Sequence, residues 1–256
     1  MVNNKLNTGK RGTVKMGNDN LYESLTCYHH DNKIRVGKEN DGGYIMLDGF
    51  GYDTLIGCGV CDDISFEKHF LQRHPDIHAH IFDGTIDKLP EQLDRSTYTC
   101  KNIGPTDTDQ TTNLHDLIKR HNSIFLKMDI EGNEYTWFES LPDDLLSKIT
   151  QICIEFHFIG SHVKKHQCLS RLAKHYYLVH VHGNNFRKHP ERGKPGTSIH
   201  QNVEIPDVIE CTYINRSKIP TQLELNQTPF PTTIDQPCNP RTSDIELKSP
   251  PYVFTK

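Results

Sequence analysis

Acidic and histidine side chains gather where two apolar runs end. In Phe125 to Glu134, FLKMDIEGNE, the run Ile124-Phe125-Leu126 drives into Asp129, Glu131 and Glu134, with Gly132 between the last two. In Thr150 to Phe158, TQICIEFHF, a second apolar run carries Glu155 and His157 at its tip. Carboxylates and imidazoles are the side chains of proton transfer and of cation binding. A short apolar run closed by charge and glycine suits a buried parallel strand whose carboxyl end opens onto a ligand crevice. Acids also suit a helix start, where the dipole favours them, so the cluster alone leaves both readings open.

A third stretch has the composition of a ligand turn. Thr54 to Gly57 reads as a strand, Gly57-Cys58-Gly59-Val60-Cys61-Asp62-Asp63 as a glycine turn, and Ile64 to Arg73 as a helix ended before Pro75. Glycine lets backbone approach a ligand closely, and the free N–H groups of a helix start attract polar groups. Asp62 stands where the dinucleotide fingerprint GxGxxG needs its third glycine, which disfavours a diphosphate. A carboxylate there suits a cationic ligand, such as the ammonium or sulfonium of S-adenosylmethionine. The next strand, His78 to Phe82, ends in Asp83-Gly84-Thr85, roughly 20 residues on, where such folds place an acid on ribose hydroxyls. Cys58 and Cys61 form a CxxC, yet no second Cys or His pair follows at zinc spacing.

The elements that must position these residues alternate. Lys33 to Leu47 predicts a hairpin turning at Asn40-Asp41-Gly42-Gly43, which would cover either one edge of the site or, the favoured role, a sheet edge. Strands follow at 97–103, 124–126, 150–158, 176–182 and 208–214, with helices at 64–73, 111–121, 135–146 and 161–174. No helix separates the last two strands, which favours an antiparallel pair. The expected organisation is an N-terminal arm over 1–32, a catalytic domain over 33–215, and a Pro-rich tail over 216–256 that packs on its surface.

Composition narrows the function classes. With 29 Lys+Arg against 33 Asp+Glu there is no basic footprint for a polyphosphate backbone, so no nucleic-acid partner is expected. The 8 cysteines are scattered, several in apolar runs, and read as reduced thiols. No apolar run approaches the roughly 18 residues of a membrane span and none follows Met1, so a cytoplasmic protein is the expectation.

Taken in order, DGGY (41–44), GCGVCDDISFE (57–67), FDGT (82–85), NIG (102–104), KMDIEGNE (127–134), IEFH (154–157), HGNN (182–185) and IPDVIECTY (205–213) resemble the class I S-adenosylmethionine-dependent methyltransferases, specifically the FkbM-like group, or methyltransferase type 21 domain. The resemblance implies a Rossmann-like α/β fold: a seven-stranded, mostly parallel sheet with an antiparallel last strand and helices on both faces. It implies the methionine end of the cofactor at Gly57, Cys58, Gly59 and Asp62, the ribose at Asp83 with Gly84 and Thr85, and adenine between Asn102 and Ile103. Asp129 would face the methyl group and the acceptor. Transfer to a sugar or glycan hydroxyl needs a base or a divalent cation such as Mg²⁺. The expected base is His157; Asp129 and Glu155 are the expected metal ligands, and His182 with Asn184 and Asn185 would orient the acceptor. Two rival readings are an NAD(P)-dependent oxidoreductase, which lacks a Tyr-x-x-x-Lys pair here, and a catalytically silent binding protein on the same scaffold.

Overall fold

The alternation of Ile124-Phe125-Leu126-Lys127-Met128 sets the architecture, because successive strand residues face opposite sides of a sheet. A computed structural model describes residues 20–161, 163–186 and 196–255. Most of the expected arm, residues 1–19, and part of the loop after HGNN, residues 187–195, lie outside the described residues.

In chain order the strands are β1 (Lys33–Val36), β2 (Tyr44–Leu47), β3 (Thr54–Cys58), β4 (His78–Phe82), β5 (Ser96–Thr99), β6 (Asn102–Ile103), β7 (Thr111–Thr112), β8 (Ile124–Met128), β9 (Ile149–His157), β10 (Tyr176–Gly183), β11 (Thr197–His200), β12 (Val203–Pro206) and β13 (Val208–Asn215). The helices are α1 (Leu21–Ser24), α2 (Ser65–Arg73), α3 (His115–Lys119), α4 (Glu134–Ser140), α5 (Asp143–Leu146) and α6 (Val163–His175). Seven strands form one sheet in the order β10-β13-β9-β8-β3-β4-β5. β3, β4, β5, β8 and β9 pair in parallel, while β13 inserts antiparallel to both β9 and β10. This mixed α/β sheet is consistent with a Rossmann-like fold, and β13 runs antiparallel to β10 as expected.

One face buries Ile124, Leu126, Met128, Ile152, Ile154 and Phe156 against Trp137 and Phe138 of α4 and Leu169 and Leu172 of α6. The other buries Phe125 and Cys153 against Phe66 and Phe70 of α2 and Tyr44 and Met46 of β2. Helices are fewer on this second face than expected, because the β1/β2 hairpin covers it. The hairpin therefore lies across the sheet and does not close its edge. Leu47 N–H donates to Gln151 Oε1 (2.6 Å), and both Cys153 Sγ (3.2 Å) and Thr212 Oγ1 (2.5 Å) donate to the Ile45 carbonyl.

Other boundaries shift for local reasons. The expected 135–146 helix divides at Leu141-Pro142, because proline cannot supply an interior helix N–H and pushes the preceding residue out of the helical region. The expected 97–103 strand stops at Thr99, and β6 turns away to pair with β7. The tail carries little regular structure but buries Phe230, Cys238, Leu247, Tyr252 and Val253, and Phe230 and Leu247 exchange backbone hydrogen bonds (3.1 and 2.9 Å).

Phe125 links the central strand to α2, with ring centroids 4.6 Å from Phe70 and 5.2 Å from Tyr52, and has no exposed surface. Phe125→Ala is expected to cost about 3–5 kcal/mol in urea unfolding. A loss under about 1 kcal/mol, the range of ordinary surface changes, would contradict this packing.

Candidate functional site

The tips of β3, β4 and β8 meet at the glycine turn. Gly59 adopts φ +75°, and a Cβ there would fall 1.6 Å from the Asp129 carbonyl oxygen, so only glycine lets the turn pass the end of β8. Asp129 N–H donates to the Cys58 carbonyl (2.9 Å) and Gly59 N–H to the Phe82 carbonyl (2.9 Å). Lys127 Nζ donates to the Gly59 carbonyl from the β8 side (2.6 Å).

Asp83, at the tip of β4, holds the turn from the other side. Its Oδ2 accepts from Val60 N–H (2.9 Å) and Cys61 N–H (2.8 Å), and its Oδ1 from the N–H (2.7 Å) and hydroxyl (2.6 Å) of Thr85. Burial pushes this carboxyl up, but the four hydrogen bonds outweigh it and hold the group below its ordinary value. These bonds engage about the four lone-pair sites a carboxylate offers. Asp83 thus shapes the turn itself, a demand the ribose expectation does not include.

Above these tips opens a cavity of about 840 Å³. Of the expected cofactor residues, Gly59, Asp62, Asp83, Thr85, Asn102, Ile103 and Asp129 line it. Gly57, Cys58 and Gly84 do not: Cys58 is wholly buried, and Gly57 backs onto Glu67, whose Oε1 would lie 2.9 Å from a Cβ there.

The walls add Asp41, Tyr44, Glu67 and Lys127, none of them assigned from the sequence. Glu67 is fully buried, and apart from its own backbone neither carboxylate oxygen has a hydrogen-bond partner. Burial raises its carboxyl, with Lys127 opposing. A signal existed, since Phe66, Glu67, Phe70 and Leu71 share the buried face of α2 at helical spacing. Asp129 Oδ2 accepts from Tyr44 Oη (3.1 Å), while its Oδ1 is buried without a hydrogen-bond partner. Burial raises the Asp129 carboxyl, and Lys127 works against that.

Strand alternation and register carry the polar row across the sheet. Lys127 and Asp129 share the face of Phe125, and Gln151, Cys153, Glu155 and His157 form the matching row on β9. Glu155 stands opposite Glu210 of β13, and Glu210 opposite His182 of β10.

His157 sits among four carboxylates. Its Nδ1 is 3.1 Å from Glu134 Oε1; its Nε2 is 3.2 Å from Glu155 Oε1, 3.4 Å from Glu131 Oε2 and 4.0 Å from Asp129 Oδ1. Burial opposes the charged ring, but hydrogen bonds to Glu134 and Glu155 outweigh it and raise His157 to about 10. Burial and the Asp129 carboxylate also raise Glu155. At neutral pH His157 is therefore a proton donor bridging two acids. The expected role of His157 as base would require its ring first to give up a proton to this acid cluster, since an imidazolium has no free lone pair.

His182 is brought elsewhere. It is 2% exposed, does not line the cavity, and contacts Glu210 on one ring nitrogen (3.0 Å) and Asp244 on the other (3.1 Å). Asn184 donates to Glu155 Oε2 (2.9 Å), and Asn185 binds the tail carbonyls of Asn239 (3.0 Å) and Thr242 (3.1 Å). HGNN thus fastens the tail and the acid cluster, and His182, expected to orient the acceptor, stands outside the cavity wall. All 8 cysteines are free, and no helix among the described residues is long and apolar enough to cross a membrane.

A mixed sheet with a large cavity at the carboxyl ends of its parallel strands, and an acid at the central tip, is consistent with a Rossmann-like domain. The family model for the methyltransferase FkbM domain matches residues 50–188, more than half of the 256-residue chain. The chain belongs to that family of methyltransferases. A comparison with curated proteins yields no significant match.

The elevated His157 gives a pH signature. A group with a raised folded value stabilises fully below its unfolded value, near 6.5 for histidine, and loses that contribution as pH rises through the folded value. Wild-type stability should therefore fall between pH 7 and about 10. His157→Gln should flatten this decline in urea unfolding at several pH values. Equal pH slopes in the two proteins would contradict a protonated His157.

Proposed function

We propose that this protein is an S-adenosylmethionine-dependent O-methyltransferase acting on a hydroxyl of a sugar or glycan-type acceptor. The carrying observation is the pair of buried, unpartnered acidic groups in the cavity wall, Glu67 and Asp129 Oδ1. Buried carboxylate oxygens without a hydrogen-bond partner are costly in a low-dielectric site, and a ligand bearing ammonium and sulfonium charges relieves that cost. The same walls carry Asp62, Asp63, Glu67 and Asp129 beside Lys38, Lys101 and Lys127, an acid-rich lining that suits a cation better than the pyrophosphate of a nicotinamide dinucleotide. When bound, the cofactor supplies an activated methyl group and its leaving group.

The chain's own residues would then do the following. Gly59, Asp62, Thr85, Asn102 and Ile103 provide the cofactor wall, with Asp83 holding the turn in shape. Asp129 belongs both to this cavity and to the acid cluster. It is placed to accept the acceptor hydroxyl proton, with Glu155 as the next carboxylate on the neighbouring strand. His157 keeps these acids together as a shared cationic donor. Mg²⁺ also fits the donor chemistry: Asp129 and Glu155 offer hard oxygens, and Asp129 Oδ1 lacks a hydrogen-bond partner. Held there, the cation would lower the cost of the alkoxide.

Methyl transfer to candidate glycans from labelled cofactor tests this reading. Asp129→Asn is expected to reduce transfer by at least about 10²-fold, the lower range for removing a general base. Loss of transfer on adding EDTA, restored by Mg²⁺, would assign the metal role. Unchanged transfer by Asp129→Asn would remove Asp129 from the chemistry.

A further inference from the structure

We propose that His182, Glu210 and Cys238 bind one zinc ion, tying the C-terminal tail to the sheet at a site separate from the cofactor cavity. Zinc takes nitrogen, oxygen and thiolate donors in tetrahedral arrangement. His182 Nδ1 lies 3.0 Å from Glu210 Oε2 and 3.9 Å from Cys238 Sγ, and Cys238 Sγ lies 3.5 Å from Glu210 Oε1. Ordinary zinc bond lengths at tetrahedral angles separate such donors by about 3.4–3.7 Å. With one ligand atom from each residue, the three donors lie within 4.8 Å of one another, so a side-chain adjustment brings them to those separations. All three side chains are buried, and a sulfur and an imidazole select a borderline transition metal over Mg²⁺ or Ca²⁺.

The outer partner is in place as well. His182 Nε2 is 3.1 Å from both oxygens of Asp244, the carboxylate contact that orients a metal-ligating histidine and leaves its other nitrogen for the ion. On binding, the Cys238 thiol loses its proton to solvent and becomes the thiolate ligand, while Nε2–H stays hydrogen-bonded to Asp244. Three protein donors leave a fourth position for water.

The sequence hides this site because its ligands come from three separate regions. His182 is in β10, Glu210 in β13, and Cys238 lies with Asp244 in the tail, so no short Cys/His spacing announces it. Register brings His182 opposite Glu210, and the contacts of Asn185 with Asn239 and Thr242 bring the tail across them.

The test is independent of methyl transfer. The purified full chain is stripped of metal, reconstituted with Co²⁺ as a spectroscopic substitute, and separately titrated with Zn²⁺ against a competing chelator. About one equivalent should bind, with a thiolate-to-cobalt charge-transfer band. Cys238→Ser should abolish that band while a cooperative unfolding transition remains. Asp244→Asn should keep the band and weaken Zn²⁺ binding about 10–100-fold. Cys61→Ser, which removes the exposed cysteine of the glycine turn, should leave band and affinity unchanged. A chain that binds no zinc, a band that persists in Cys238→Ser, or a band lost with Cys61 would overturn the proposal. If Cys238→Ser fails to fold, Asp244→Asn decides: unchanged zinc affinity in that variant counts against the site.

Discussion

The contact between Gly59 and the Asp129 carbonyl is the constraint on which the site depends. It brings the end of β3 against the end of β8 so closely that any side chain at Gly59 would displace one strand tip. With that approach made, Lys127 reaches the turn carbonyl, Asp83 reaches the turn amides, and the cavity opens directly above both tips. A looser crossing would leave Asp83 and Lys127 without the backbone groups they bind. The cavity wall and Asp129 are thus parts of one mechanical junction.

A second constraint follows from the pleat. A polar row on the face occupied by the hairpin and α2 costs desolvation unless its members satisfy one another. The molecule meets this cost by pairing across strands: Gln151 with the hairpin backbone, Glu155 with His157 and Asn184, His182 with Glu210 and Asp244. In the cavity wall Glu67 and Asp129 Oδ1 depart from this pattern, being buried without hydrogen-bond partners. The same row explains why His157 is a charged bridge, since four carboxylates converge on one imidazole.

Much of this was legible in the residues. Apolar runs ending in glycine or acid marked β3, β4, β8 and β9, and the helix-free stretch before β13 marked the antiparallel insertion. The order of motifs pointed to the family, and seven of the expected cofactor residues line one cavity. What sequence reading missed depends on register and on long-range packing. Glu67 had no assigned role, and α2 places it against Gly57. Glu210 gained meaning only from standing opposite Glu155 and His182. The hairpin's place over a face, and the tail's delivery of Cys238 and Asp244, involve contacts between distant segments that no local spacing encodes. Local signals also overran at Thr99 and Leu141, where β6 turns away and Pro142 breaks the helix.

The central claim is that buried, unpartnered acids make this cavity a site for a cationic adenosyl cofactor. Isothermal titration of the wild-type chain and of Glu67→Gln with S-adenosylmethionine tests it most directly. The account predicts saturable binding to wild type and weaker binding to Glu67→Gln by about 10-fold or more, the scale of a charge-assisted contact. No binding heat with the wild-type protein, or equal affinity in the two proteins, would contradict it.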